Sequence, residues 1–449
     1  MSAARSWTFP PAFWTANVIE AAERCAYYGW FIMLAPFLTS VVGYSDIEAG
    51  YIGGCFAALL YLLPFMSGAF ADRVGYRRAL MLAMALLGAG YASFGLMPRK
   101  HWVLLAMASI MLGGSLVKPI ITGTVARCSD KEHRARAFSL FYMMVNLGAF
   151  AGKTVAKPIR TILGLPTLPL FSAAVALIAL CGVALFYKPQ ENAFVSGESK
   201  QPRALSEVAR QLLRDFAEIF RSGRLIALIL ITGGFWIIQS QMYSSMPKYV
   251  LRTVGPMASP EWYANVNPTL VVLCVVPVTQ LCRRLQPVTS MTIALGLIPL
   301  SALLIGTLPT LLGSSLPVHP VTVAMVTGIA IQGLSECFLS PRYLEYASHL
   351  APRDKEALYM GYAHMNQFFS WLIGYIMSGY LLNAFCPNPD TLPPADQAAY
   401  NAALASGGAL PAVYAHSHYL WFVFAAIGLL AFLSLLVFQL LTRSARPPE

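Results

Sequence analysis

Charged side chains are scarce in this sequence. Of 449 residues, 11% are charged and 57% are hydrophobic. Soluble domains carry about a quarter charged residues. A water-facing surface cannot absorb so much apolar side chain, whereas a bilayer can, so a soluble globular fold is excluded first. Metal and thiol chemistry has little to build on. The eight cysteines form no CxxC pair and no Cys/His cluster at metal-ligand spacing. Most lie in apolar runs, where a thiol is a small hydrophobe. There is no HExxH motif and no Gly-x-Ser-x-Gly elbow, and no two of the seven histidines flank a glutamate at i, i+4. An enzyme is therefore not expected. A cleavable signal peptide is not expected either, because the first apolar stretch carries Glu20, Glu23 and Arg24. The net charge of +11 comes without a basic stripe interleaved with stacking aromatics, so nucleic acid is not the expected partner.

What the sequence has is long apolar runs. A hydrocarbon core about 30 Å thick needs about 20 helical residues. Stretches of that scale lie near 13–40, 47–70, 79–97, 102–126, 136–158, 167–187, 223–249, 260–282, 289–312, 317–349, 357–385 and 418–441. Twelve spans follow. They must be helices, because every backbone N–H and C=O has to pair internally in lipid. The loops alternate in charge, with 21 basic residues on one side and seven on the other, the seven being Arg99, Lys100, Lys153, Lys157, Arg160, Lys248 and Arg252. The basic side is cytoplasmic, so both termini are expected inside.

A polar linker divides the spans six and six. The expected organisation is a bundle over 1–188, a cytoplasmic linker over 189–222 and a second bundle over 223–449. Within the linker, Leu205, Val208, Leu212, Phe216 and Phe220 share one helical face, which predicts an amphipathic helix over 204–220; a solvated connector is the alternative. Residues 386–417 read as a long outer loop with little function. Six plus six spans with an inside linker is the arrangement of major facilitator transporters, whose substrate sites lie near the midplane between the halves.

Ionisable residues inside spans are the candidate machinery, since each costs roughly 2.5–3.5 kcal/mol at a helix centre. In span 1, Glu20, Glu23, Arg24, Tyr27 and Tyr28 share one face. Two carboxylates beside one guanidinium cannot be satisfied equally, so one can carry a proton. A purely structural salt bridge is the bland alternative. In span 4, Lys118 stands before Pro119 in an apolar run and needs an acidic partner, unless it snorkels. In span 10, Glu336 has no local partner and reads as a ligand or proton site. Arg342 and Glu345, at i, i+3, can neutralise each other as an inner gate or a structural pair. Asp72, Arg73, Arg77 and Arg78 crowd the loop after span 2, either as a charge clamp on a gate or as a topology signal. Acidic and basic groups of both halves are expected to meet around a wet central chamber.

At these residues a family becomes visible. Glu20-x-x-Glu23-Arg24-x-x-Tyr27-Tyr28-Gly29 resembles the helix 1 signature of the proton-dependent oligopeptide transporter family. Phe141-Tyr142 through Asn146-Leu147-Gly148 resembles its helix 5 signature. Gly113-Gly114 with Lys118-Pro119, Glu336 with Ser340-Pro341 and Leu350-Ala351-Pro352, Asn267-Pro268, and Phe235-Trp236 with Gln241 are similar to its later motifs. Tyr61 matches a family binding tyrosine, and the loop from Gly68 to Arg78 looks like the signature of the whole superfamily.

The resemblance implies an all-α polytopic membrane protein of the major facilitator superfamily fold, with twelve transmembrane helices in two six-helix bundles. It implies a proton-coupled symporter importing di- or tripeptides or peptide-like solutes. A monomer is expected, in a bacterial plasma membrane as the default for so compact a chain. No cofactor is implied; the proton gradient is the energy source. Glu20, Glu23, Arg24, Lys118 and Glu336 would couple protons. Tyr27, Tyr28, Tyr61, Lys118, Asn146, Gln241, Asn267 and Glu336 would meet substrate, with Glu336 receiving an amino terminus. Two departures stand out. Phe31 occupies the place of an arginine that helps hold a peptide carboxylate, and Ser240 replaces a polar or acidic partner on span 7. These keep a second reading open, a proton antiporter or exporter of drugs, lipids or another metabolite.

Overall fold

The computed structural model describes residues 9–130, 132–188, 210, 214, 223–313, 317–350 and 362–443. The linker lies outside the described residues apart from Arg210 and Arg214, and so does its expected amphipathic helix. Among the described residues there is no strand, as the backbone accounting of a lipid environment requires.

The helices run in order. They are α1 Pro11–Phe31, α2 Leu34–Ser40, α3 Asp46–Leu62, α4 Pro64–Val74, α5 Tyr76–Leu96, α6 Lys100–Arg127, α7 Arg134–Leu163 and α8 Leu168–Phe186. After the linker come α9 Gly223–Ser240, α10 Met246–Thr253, α11 Pro260–Tyr263, α12 Val266–Leu281, α13 Pro287–Leu312, α14 Pro320–His349, α15 Met365–Phe385, α16 Pro394–Ser406 and α17 Tyr419–Arg443. Nine spans among the described residues are long and apolar enough to cross a membrane, or ten when the pair Asp46–Leu62 and Met66–Val74 counts as one broken span. Two further long helices, α1 and α7, hold the interior charges Glu20, Glu23, Arg24, Lys153 and Lys157, which dilute their apolar character. The protein is an integral membrane protein built of helices.

Three expectations change. Lys153, Lys157 and Arg160 do not lie in a loop; they stand inside α7, and Lys153 and Lys157 are buried. Lys248 and Arg252 are likewise buried within α10. Charges usually end spans, so these residues hid helices that continue past them. Residues 386–417 are also more than a loop. They contain α16, and Tyr400 on it donates its hydroxyl to the Arg252 carbonyl at 3.0 Å. Pro394 opens that helix and Gly407, at φ +69°, ends it.

The chain packs as two compact units, Met1–Trp30 with Leu62–Leu212, and Phe31–Tyr61 with Leu213–Glu449. In the first, α5 packs on α6 and α8. There α1 meets α7 so closely that a Cβ on Gly148 would collide with the Ala21 carbonyl oxygen, and one on Gly152 with that of Cys25. Small residues let two backbones approach where lipid supplies no hydrophobic drive. In the second unit α13 packs on α14 and α17, and α9 on α15. The same device seats α3 on α15, where a Cβ on Gly50 would lie 2.7 Å from the Tyr375 carbonyl and one on Gly379 2.6 Å from that of Asp46.

Candidate functional site

In the first unit the charged face of α1 is intact. Arg24 Nε lies 2.5 Å from Glu23 Oε2 and 3.6 Å from Glu20 Oε1. Both carboxylates are buried, and each keeps one oxygen without a hydrogen-bond partner, Glu20 Oε2 and Glu23 Oε1. The guanidinium also lies over the rings of Tyr27, at 5.2 Å, and Tyr28, at 6.0 Å. The two rings meet edge to face at 5.1 Å. Lys118 on α6 is within Coulombic reach of Glu20, Glu23 and Arg24, and its side chain is exposed. Acids and bases thus face one another in one cluster, where a bound proton would change the net charge by one. Lys153 on α7 places its Nζ 5.5 Å from the Tyr28 ring centre. Nothing in the spacing of the sequence singled it out, because it had been read as loop. Asn146 turns its amide back to the Tyr142 carbonyl at 2.8 Å, within α7.

In the second unit Glu336 on α14 accepts two amide hydrogen bonds at Oε2. Gln239 Nε2 donates at 3.1 Å and Asn267 Nδ2 at 3.2 Å. Asn267 is among the residues expected to meet substrate, whereas Gln239 is not. Gln241 was the glutamine expected to meet substrate, and its position differs. It is fully buried where the helix turns between α9 and α10. Its Nε2 donates to the carbonyls of Ile237, at 2.8 Å, and Gly374, at 3.2 Å, and its Oε1 accepts from Ser244 and Ser245. Its amide is spent on closing the helix break. On a helix, residues two apart face different ways, so Gln239 reaches Glu336 and Gln241 does not.

Phe31 is wholly buried among rings. Tyr243 lies 5.2 Å away, Trp371 5.9 Å, Phe56 6.2 Å and Tyr375 6.4 Å. Tyr61 joins the cluster through Trp371, at 5.9 Å. Ser240 is also buried, and its hydroxyl donates to the Ile237 carbonyl. The two departures from the family pattern therefore sit in packed surroundings.

The charges expected in a loop after span 2 stand on helix ends instead, Asp72 and Arg73 on α4 and Arg77 and Arg78 on α5, and they pair differently from a simple clamp. Asp72 lies 3.7 Å from Arg127 on α6, and both are exposed. Arg127 also stacks over Tyr76 at 4.1 Å. Arg77 donates to the Ala184 carbonyl at 2.6 Å, which ties α5 to the end of α8. Arg73 and Arg78 are exposed. Between α6 and α7, hydrogen bonds from the His133 ring and backbone hold the Asp130 carboxyl below the usual carboxylate range. Arg342 and Glu345 do pair, at 2.7 Å, and Arg342 also donates to the Cys282 carbonyl at 2.5 Å.

Comparison with known proteins agrees with this architecture. Residues 23–311 match the family model of the Major Facilitator Superfamily. The dipeptide and tripeptide permease A of Escherichia coli is 24% identical over 430 residues, covering 83% of this chain and 84% of that protein. The permease A of Serratia proteamaculans is 32% identical over 145 residues, 31% of this chain and 29% of that one. The permease B of Yersinia enterocolitica is 31% identical over 182 residues, 40% and 35%. With these last two the chain aligns over only about a third of the relatives' length. Among solved structures, a peptide transporter POT in complex with alafosfalin superposes with a TM-score of 0.72 at 21% identity, covering 97% of this chain and 95% of that one. A POT family transporter in complex with 5-aminolevulinic acid gives 0.72 at 19%, covering 96% of each. The chain belongs to the Major Facilitator Superfamily, a transporter family rather than an enzyme family, and its resemblance to the proton-dependent oligopeptide transporters is borne out by relatives named dipeptide and tripeptide permeases.

Proposed function

We propose that the protein imports di- or tripeptides, or peptide-like small solutes, together with protons by alternating access. The observation that carries this reading is the pair of buried carboxylates, Glu20 and Glu23, sharing Arg24 with one unpartnered oxygen each. Two acids competing for one guanidinium form a group that a proton can neutralise. Relatives named dipeptide and tripeptide permeases support the cargo. Glu336 with Asn267 is the proposed site for an amine, and Lys118 belongs with Glu20, Glu23 and Arg24 to the proposed proton-coupling cluster. Tyr27, Tyr28, Tyr61 and Asn146 complete the proposed lining.

Proton binding weakens the charge pairs of one state, and the second state becomes populated. The energy suffices: one charge falling through about 150 mV releases about 3.5 kcal/mol, enough for roughly a 300-fold gradient of a neutral solute. Bundles over 1–188 and 223–449, a cytoplasmic linker, both termini inside, a bacterial plasma membrane and a monomeric state complete the proposal. Asp72 with the loop arginines, and Arg342 with Glu345, are its gate charges.

The test is uptake into proteoliposomes. Dialanine accumulates when the outside is acid, and Glu336→Gln abolishes accumulation. Unchanged acid-driven uptake by that variant removes Glu336 from the mechanism.

One observation favours the second reading. Phe31, wholly buried among aromatic rings, stands where the family pattern has a carboxylate-binding arginine. A less anionic drug, lipid or metabolite, moved by proton antiport, suits that exchange. A competition panel separates the two: if no peptide competes with any transported solute, antiport is the better account.

A further inference from the structure

The segment between α15 and α17 closes a ring of contacts on one residue, Arg252. Its Nη1 donates to the Cys386 carbonyl at 2.6 Å. The next carbonyl along the chain, that of Pro387, accepts the Tyr414 hydroxyl at 2.9 Å. The Tyr414 ring lies 5.3 Å from the Tyr400 ring. The Tyr400 hydroxyl then donates to the Arg252 carbonyl at 3.0 Å, which completes the ring. Arg252, Cys386, Tyr400 and Tyr414 are all buried. The last turn of a helix leaves carbonyls that no later amide of that helix satisfies. On α10, Tyr400 of α16 takes one of them. Beyond that turn, Leu404 of α16 stands 3.6 Å from where a Cβ on Gly255 would lie.

The same guanidinium grips Asp46 on α3 through both of its terminal nitrogens, at 2.9 Å each. Arg252 is therefore held at its backbone by Tyr400 and at its tip by Cys386. A long side chain loses rotamer freedom when it binds, and one already held at both ends has little left to lose. By sequence, α3 belongs to the first proposed bundle and α10 to the second. On the proposed orientation their contact lies at the outer face, where alternating access requires the bundles to part. We propose that Tyr400 is a positioning residue: it keeps Arg252 aimed at Asp46, so that the segment 386–417 braces the outer latch and sets how long it stays shut. This rests on the transport reading and adds to it a residue outside the spans. When Asp46 leaves, Arg252 keeps its contacts to Cys386 and Tyr400, and the cation stays in place for the carboxylate to return.

Hydrogen exchange of the full chain in nanodiscs, read by mass spectrometry, follows the opening without any substrate. Amides of α3 near Asp46 exchange in proportion to the open population. Tyr400→Phe removes one hydroxyl and keeps the ring. Exchange there rises about fivefold, as expected for one hydrogen bond, while α5 and α8 keep their rates. Asp46→Asn alone raises it more. Adding Tyr400→Phe to Asp46→Asn changes nothing further, because the hydroxyl acts through the latch. Unchanged exchange in Tyr400→Phe, or an equal increment in both backgrounds, overturns the proposal. Should Tyr400→Phe fail to insert, Tyr414→Phe opens the same ring at the Pro387 carbonyl and is judged by the same criteria. In proteoliposomes the more populated open state lowers the external KM for dialanine, by up to about fivefold, and a KM that rises overturns the proposal. A wild type that takes up no dialanine removes the peptide reading alone, since exchange still decides whether the brace exists.

Discussion

Asp46 at the start of α3 is bound to Lys248 on α10, Oδ1 to Nζ at 2.8 Å, and Arg252 grips both oxygens of the same carboxylate at 2.9 Å. All three side chains are buried, so one anion holds two cations away from water. Arg252 also donates to the Cys386 carbonyl at 2.6 Å, which joins the end of α15 to the cluster. Breaking a buried pair by removing one partner is far costlier than replacing the pair, because a charge is left behind.

The charge imbalance makes the cluster asymmetric under mutation. Asp46→Asn strands two buried cations and is expected to cost about 3 kcal/mol or more. Lys248→Met leaves Asp46 matched one to one with Arg252 and costs much less. Melting temperatures of both variants in detergent check this, and equal losses would contradict the arrangement.

The contact between α1 and α7 predicts a second asymmetry. Gly148→Ala pushes a methyl into the Ala21 carbonyl, a backbone atom that cannot step aside. A loss of about 1–3 kcal/mol follows from overpacking. It also displaces Arg24, whose Cβ is the next atom in the way, so acid-driven uptake falls with it. Gly182→Ala, on α8, meets no atom within 4 Å and leaves stability and uptake as they were.

Glu20→Gln and Glu23→Gln remove the titrating groups without removing their shape. Each is expected to lose acid-driven accumulation while retaining exchange of labelled for unlabelled substrate. Counterflow in proteoliposomes reads the two activities separately. Loss of both together would make the α1 cluster structural.

Restoring the family's arginine is expected to fail. Phe31→Arg inserts a guanidinium among the packed rings of Phe56, Tyr243, Trp371 and Tyr375, which offer it no carboxylate. A buried unpaired charge destabilises by several kcal/mol, whereas Phe31→Leu costs about 1.5 kcal/mol. Unfolding midpoints of the two variants test this. A stable Phe31→Arg protein with tighter peptide binding would show that the position still belongs to a carboxylate site.

Much of this protein is local and therefore legible in one dimension. Apolar runs of membrane length dictate helices, because lipid leaves the backbone no other partner. The face shared by Glu20, Glu23, Arg24, Tyr27 and Tyr28 follows from helical spacing alone. The pairing of Arg342 with Glu345 has the same origin. Where local composition misled, the cause was also local. Lys153, Lys157, Lys248 and Arg252 look like loop residues because charges usually end spans, yet they are inside helices. Tertiary structure alone decided which distant groups meet. Asp46 finds Lys248 and Arg252 some two hundred residues away. Glu336 finds Gln239 rather than Gln241, and Phe31 finds a ring of aromatics. Spacing along a helix fixes direction, but the partner in that direction depends on which helix packs there, and packing in lipid is set by small-residue contacts such as Gly50 of α3 against α15 and Gly148 of α7 against α1, which no single span reveals.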